Sequence, residues 1–308
     1  MDGRLSAEVE GPEVPGAEIA APVTRAPGAL RSMAASALFF SLMGALAKLA
    51  GKSVPLFEIV FMRSLVVAVL AGAALVLDGK GFRGREPRIL ILRGVLGFCA
   101  LTCYYYAVIH LPLADATVIH FVNPVFTAFI AALWLREHMG LKEVGLVVAS
   151  LGGVVLVARP AFLVGGEGGL ASVPVLVGLC GALLSASAYV TVRRLRQEPP
   201  MLIVFYFAVV CTALSAPMVA LDFRVPSAGT ALVLLGVGVT THLGQWFLTW
   251  GFRLERAGRA SAVGYLQIVF AAVWGWLLFA EVPDVWTWVG AGVIVSCTLL
   301  LVRLHPVR

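Results

Sequence analysis

The chain has 308 residues, 60% of them hydrophobic and 13% charged, with a mean hydropathy of +0.95. Soluble proteins are about one-quarter charged. This chain therefore lacks the polar side chains to cover a water-facing surface, and an integral membrane protein is expected, with the lipid bilayer as its main partner. The net charge of +6 is scattered in short segments between apolar runs rather than gathered on one face, so no nucleic-acid partner is expected.

Residues 1–28 carry Asp2, Glu8, Glu13 and Glu18 with four prolines. A secretory signal needs a basic start and an apolar stretch of about 7–15 residues. This segment has neither and reads as a disordered cytoplasmic tail.

A membrane-spanning helix needs about 20 mostly apolar residues. Ten such runs follow: 32–51, 56–77, 89–109, 115–135, 142–159, 174–193, 201–221, 229–251, 260–280 and 285–303. Span 1 carries Lys48 near its end. Span 2 holds Arg63 in FEIVFMRSLVVAVL. A charge near mid-membrane costs roughly 2.5–3.5 kcal/mol on insertion scales, so Arg63 either contacts an anionic substrate or pairs with Glu58 or helix-end carbonyls. Arg93 opens span 3, either snorkelling to the interface or contacting substrate. The same span carries Phe98, Leu101, Thr102 and Tyr105 on one side. Cys99, Cys103, Cys180, Cys211 and Cys297 all sit in apolar runs, where free cysteine acts as a small hydrophobe. No CxxC occurs, and neither a metal nor a cofactor is called for.

Span 4 places Thr117, His120, Asn123 and Pro124 on one side at three- and four-residue steps. Pro124 frees a carbonyl one turn back and bends the helix, which membrane helices tolerate beside a cavity or a satisfying neighbour. His120 is a candidate for substrate contact or proton coupling, beside the reading of a helix–helix hydrogen-bonding residue. Span 6 adds Tyr189. Span 8 reads THLGQWFLTW, with His242, Gln245, Trp246 and Thr249 at i, i+3, i+4 and i+7, a polar stripe that suggests a water-lined cavity. Span 9 adds Tyr265 and Gln267. The candidate substrate-binding set is therefore Arg63, Arg93, Tyr105, His120, Asn123, Tyr189, His242, Gln245, Trp246, Tyr265 and Gln267. Imidazole, amide and aromatic groups of this kind suit a small amphipathic or zwitterionic metabolite.

With the N-terminus inside, seventeen Lys and Arg residues fall on the cytoplasmic side, three outside, and Lys48, Arg63 and Arg93 within spans. The positive-inside rule then places both termini in the cytoplasm.

Residues 120–140, HFVNPVFTAFIAALWLREHMG, align without a gap on 264–284, GYLQIVFAAVWGWLLFAEVPD, at an offset of 144. They share Val125/Val269, Phe126/Phe270, Ala128/Ala272, Leu133/Leu277 and Glu137/Glu281. The same offset pairs Gly94 with Gly238, Tyr106 with Trp250 and Arg159 with Arg303, and an offset of 145 pairs Lys48 with Arg193 and Pro55 with Pro200. Residues 32–159 thus correspond to 174–303 as five spans plus five. Five is odd, so the second unit enters the membrane from the opposite side. Inverted repeats are the build of secondary transporters, in which two similar halves exchange conformations around a central site.

The run RGVLGFCALTCYYYAVIHLPLADATVIHFVNPVFTAFIAALWLREHMG (93–140), then LGGVVLVARPAFLVG (151–165) and ALLSASAYVTVRRL (182–195), resembles the drug/metabolite transporter superfamily, and within it the EamA type. The wording LADATVI, PVFT and RPAFLVG is similar to the G branch of solute carrier family 35. The second half departs from that pattern, with Gln267-Ile268 where the family carries a proline. The resemblance covers about 32–303. It implies an all-α fold of ten transmembrane helices in two inverted five-helix repeats, as a monomer or a homodimer. It also implies a central cavity lined by spans 1, 3, 4, 6, 8 and 9, and export or exchange of small metabolites.

No GxxxxGK[ST] occurs, so the chain does not hydrolyse ATP through a P-loop. HExxH and GxSxG are absent, which argues against an enzyme. The expectation is a secondary-active transporter of a small polar metabolite in the cell inner (plasma) membrane, with a facilitative, channel-like permease as the second reading.

Overall fold

The computed structural model describes residues 27–135, 141–158, 170–195, 197–254 and 263–304. Residues 1–26 of the expected tail, Glu137 and Arg159 lie outside the described residues, while Pro27 and Gly28 already belong to the first helix. All regular secondary structure among the described residues is helical, in eleven segments. These are α1 (Pro27–Ala50), α2 (Leu56–Leu77), α3 (Pro87–His110), α4 (Leu113–His120), α5 (Asn123–Leu135), α6 (Leu141–Ala158), α7 (Ser172–Arg194), α8 (Pro200–Leu221), α9 (Ala228–Leu254), α10 (Leu266–Phe279) and α11 (Val285–Leu304).

Local chemistry sets the ends. Pro55 and Pro199 precede α2 and α8, and Pro87 occupies the first turn of α3, where a missing N–H costs nothing. Helix α10 closes on Ala280 in the left-handed region, φ 56°, and the Glu281 N–H returns 3.0 Å to the Gly275 carbonyl. This bond, reaching six residues back past the left-handed Ala280, folds Glu281 over the helix end. Among the described residues six helices are long and apolar enough to cross a membrane, and α6, α10 and α11 contain shorter apolar stretches. Large side chains such as Val69, Leu176 and Leu232 stand exposed, the surface expected where lipid replaces water. The chain is a multi-pass membrane protein.

Packing runs between the two halves. Helix α1 packs most extensively on α9, and α3 on α7; α2 packs on α8 and α6 on α11. Helix α1 also meets α10, α7 meets α4 and α5, α2 meets α9, α3 meets α8, and α4 meets α10. Exchanging α1, α2, α3, α4–α5 and α6 for α7, α8, α9, α10 and α11 turns each of these pairings into another of them or, for α2–α8, α6–α11 and α4–α10, into itself. The correspondence reaches single residues. A Cβ on Gly94 would stand 2.7 Å from Cβ of Val210, and one on Gly238 would stand 2.5 Å from Cβ of Val66. Gly94 and Gly238, like Val66 and Val210, are 144 positions apart. Each glycine lets a β-branched neighbour come to backbone distance.

The continuous fourth span expected over 115–135 is instead two helices, broken at Phe121–Val122. Pro124 has no N–H for the His120 carbonyl, so the ladder fails there. The ninth span is also interrupted: residues 263–264 are helical, Tyr265 is a turn, and α10 starts at Leu266. Phe121 and Tyr265 are again 144 apart, and their rings meet with centroids 5.1 Å apart.

Candidate substrate site

Two consecutive tyrosines of α3 divide the polar interior. Tyr104 and Tyr105, their rings 5.9 Å apart, face two different clusters.

Tyr105, wholly buried, stands beside Arg63 and Thr241. Arg63 is 3% exposed; its Nε donates 3.4 Å to the Thr241 hydroxyl, and its guanidinium lies 5.1 Å from the centre of the Phe207 ring. Arg93 reaches the same ring, at 4.4 Å, and Tyr189 lies within electrostatic reach of it. Gly97 makes the approach feasible, because a Cβ there would stand 2.6 Å from both Arg93 Nη1 and a Phe207 ring atom. Neither arginine takes the non-substrate role expected of it. Arg63 is not paired with Glu58, whose Oε2 accepts the Arg224 N–H at 3.2 Å. Arg93 does not snorkel to the interface but turns into the bundle, with Nε and Nη1 out of solvent and without acceptors. A desolvated cation–π contact is worth about 2 kcal/mol, whereas burying an ion costs several. Phe207 alone does not compensate the two charges.

Tyr104 faces the broken span. Its ring is 4.6 Å from that of His120, and Asn123 Nδ2 lies 3.4 Å from His120 Nε2. The break at Phe121–Val122 thus does not separate the two; it brings them together across the gap. Thr117, expected on the same side, is instead spent on the Leu113 carbonyl at 2.7 Å. Tyr265 is buried, with its hydroxyl unbonded, at the facing break. Gln267, half-buried, is in the first turn of α10.

The α9 stripe divides. His242 is buried and stands edge-on to Trp246, centroids 6.5 Å apart. Trp246 is 53% exposed, in a row with the exposed Leu232, Leu235, Val239 and Trp250. Gln245 is half-buried and four residues from Thr241, one helical turn on. The α9 side chain that reaches Arg63 is Thr241, one position off the expected stripe.

Two contributors were absent from the sequence-derived set. Phe207 carries both arginines, and its only sequence signal is its place 144 residues after Arg63. Lys48 forms an ion pair with Glu281 and donates 2.5 Å to the Leu111 carbonyl, while the other Glu281 oxygen accepts the Leu113 N–H at 2.9 Å. This fastens the end of α1 to the start of α4 and the end of α10. Beside it, Thr287 at the start of α11 lies 2.5 Å from Asp115. In both pairs the signal was a charge in an otherwise apolar stretch.

The EamA-like transporter family is matched over residues 29–159 and again over 172–303. The pseudopaline exporter CntI of Pseudomonas aeruginosa is 36% identical over 86% of this chain and 92% of that protein. Solute carrier family 35 member G1 of Homo sapiens is 31% identical over 78% of this chain and 69% of its own. The S-adenosylmethionine uptake transporter of Rickettsia felis is 26% identical, over 83% and 86% respectively. A solved crystal structure at 20% identity superposes with a TM-score of 0.63, over 91% of this chain and 98% of that one, which shows the shared fold.

Proposed function

Because the chain belongs to the EamA-like transporter family, we propose that it is a secondary-active transporter that moves a small polar metabolite by alternating access. It crosses the membrane ten times, as repeats 32–159 and 174–303 of opposite orientation, with both termini cytoplasmic. The observation that carries this reading is the exchange of helix pairings between the halves, down to Gly94–Val210 and Gly238–Val66. Two halves that make the same contacts in opposite directions can trade conformations at equal energy, which opens one central site alternately to each side.

The facing breaks of α4–α5 and at Tyr265 support the same reading. Interrupted helices leave backbone groups free, and such groups are tolerated at membrane depth only inside protein or beside a cavity. The substrate site lies between the breaks and the arginine pair. In this orientation the Lys48–Glu281 end faces outward, and that pair holds it closed. One relative is named for export and another for uptake; alternating access is reversible, so the gradient and the coupling ion set direction rather than the fold.

The test is counterflow in proteoliposomes against a metabolite panel first screened by thermal shift. Saturable counterflow is expected. Flux linear in concentration, with no counterflow, would mark a channel-like permease and overturn the reading. Asn123→Ala and His242→Ala are expected to abolish uptake while the protein still reaches the membrane. Wild-type transport in both would remove the span 4 and span 8 residues from the site.

A further inference from the structure

Among the described residues, no carboxylate forms an ion pair with Arg63 or Arg93. Arg63 Nη1 and Arg93 Nε and Nη1 are out of solvent with no acceptor, and the Tyr105 hydroxyl beside them is unbonded. The acceptor that Arg63 Nε does reach, Thr241 Oγ1, is neutral. Buried Glu58 accepts the Arg224 N–H through one carboxylate oxygen, its other oxygen making no hydrogen bond, and Glu281 is paired with Lys48. Neither is offered to the arginines. Two like charges over one ring repel each other, and a buried cation without a partner is unfavourable. Planar guanidinium forks with open N–H groups match one chemistry above others, the paired oxygens of an oxyanion.

The geometry points to a binding site for the carboxylate or phosphate-type group of a soluble organic anion, held by Arg63 and Arg93 with the Tyr105 hydroxyl alongside. The class of substrate is then anionic rather than neutral or cationic. The inference rests on the transporter reading only for the claim that this anion is carried. Depth separates a metabolite from a lipid headgroup. Arg63 and Arg93 each lie about 10 Å from the start of their helices, at 1.5 Å per residue. The two helices run from opposite ends, so the guanidiniums converge on Phe207 well inside the bundle, below headgroup level.

The test uses the purified full chain in a neutral detergent and follows thermal unfolding at fixed ionic strength. The probes are sulfate, succinate and citrate, with neutral succinamide as control and phosphatidylglycerol as a separate arm. At least one soluble anion is expected to raise the midpoint in a saturable way, and succinamide is not. Arg63→Gln and Arg93→Gln are expected to raise the midpoint without ligand, since each removes an uncompensated charge, and to weaken the anion response about tenfold or more. Arg63→Lys and Arg93→Lys keep the charge and are expected to retain part of it. Three results overturn the site: no response to any soluble anion, a response unchanged in both glutamine variants, or stabilisation by phosphatidylglycerol alone. The two readings fail separately. An anion response lost in the glutamine variants, with no counterflow of any compound, keeps the site and removes the transporter. Counterflow of an uncharged metabolite at wild-type rate in both variants keeps the transporter and removes the site.

Discussion

Removing Lys48 would leave Glu281 holding its charge against the start of α4 with only the Leu113 N–H for company. Losing one partner of a fully buried pair costs about 3–5 kcal/mol; Glu281 keeps 24% side-chain exposure, so the effect belongs below that range. Lys48→Met is expected to lower the thermal midpoint, and adding Glu281→Gln to recover part of the loss, a positive coupling that a double-mutant cycle measures. Additive losses would show that the pair is not coupled. At this scale the sequence marks which residues are anomalous but not what they meet. Lys48, Arg63 and Arg93 are conspicuous in apolar runs, yet their partners Glu281, Thr241 and Phe207 lie far along the chain and are unremarkable where they stand. Only the folded path brings them together.

Helix contacts in this bundle depend on where a side chain is missing. A Cβ on Gly238 would fall 2.5 Å from Cβ of Val66, an atom fixed to the backbone that cannot swing away, whereas nothing lies within 4 Å of one on Gly292. Alanine is favoured over glycine inside a helix by about 1 kcal/mol. Gly292→Ala is therefore expected to be neutral or stabilising by thermal unfolding, while Gly238→Ala lowers the midpoint and Val66→Ala partly rescues it. An equal response in both glycine variants would show that α2 and α9 are not held at that distance. Helix ends were legible because proline, glycine and charge punctuate them, and α2 occupies its expected residues 56–77. Helix rotation was not. Lipid is as apolar as the interior, so the apolar positions of α9 do not say which face is inward, and Thr241 rather than the expected stripe reaches Arg63. Pro124 announces the break at Phe121; the one at Tyr265 has no proline to mark it.

Across the whole molecule, the offset of 144 connects sequence to architecture. It was legible because both copies keep glycines and end residues, and the exchange of helix pairings follows it. Gly81 and Val225, also 144 apart, occupy exposed loops after α2 and α8. In a cysteine-free background, Val225→Cys is expected to react with a membrane-impermeant maleimide on intact cells, and Gly81→Cys only after permeabilisation. Labelling of both from one side would rule out the inversion.

Arg63 and Phe207 are 144 positions apart, and they touch. Under the two-fold relation proposed for the halves, a residue on the axis meets its own copy, so two identical half-length chains assembled about that axis would set arginine against arginine or ring against ring. The mixed pair is available only to halves that differ, as halves joined in one polypeptide are free to do. Covalent linkage here permits chemistry at the axis that a symmetric assembly of identical subunits is denied: one half supplies the cation, and the other the surface it rests on.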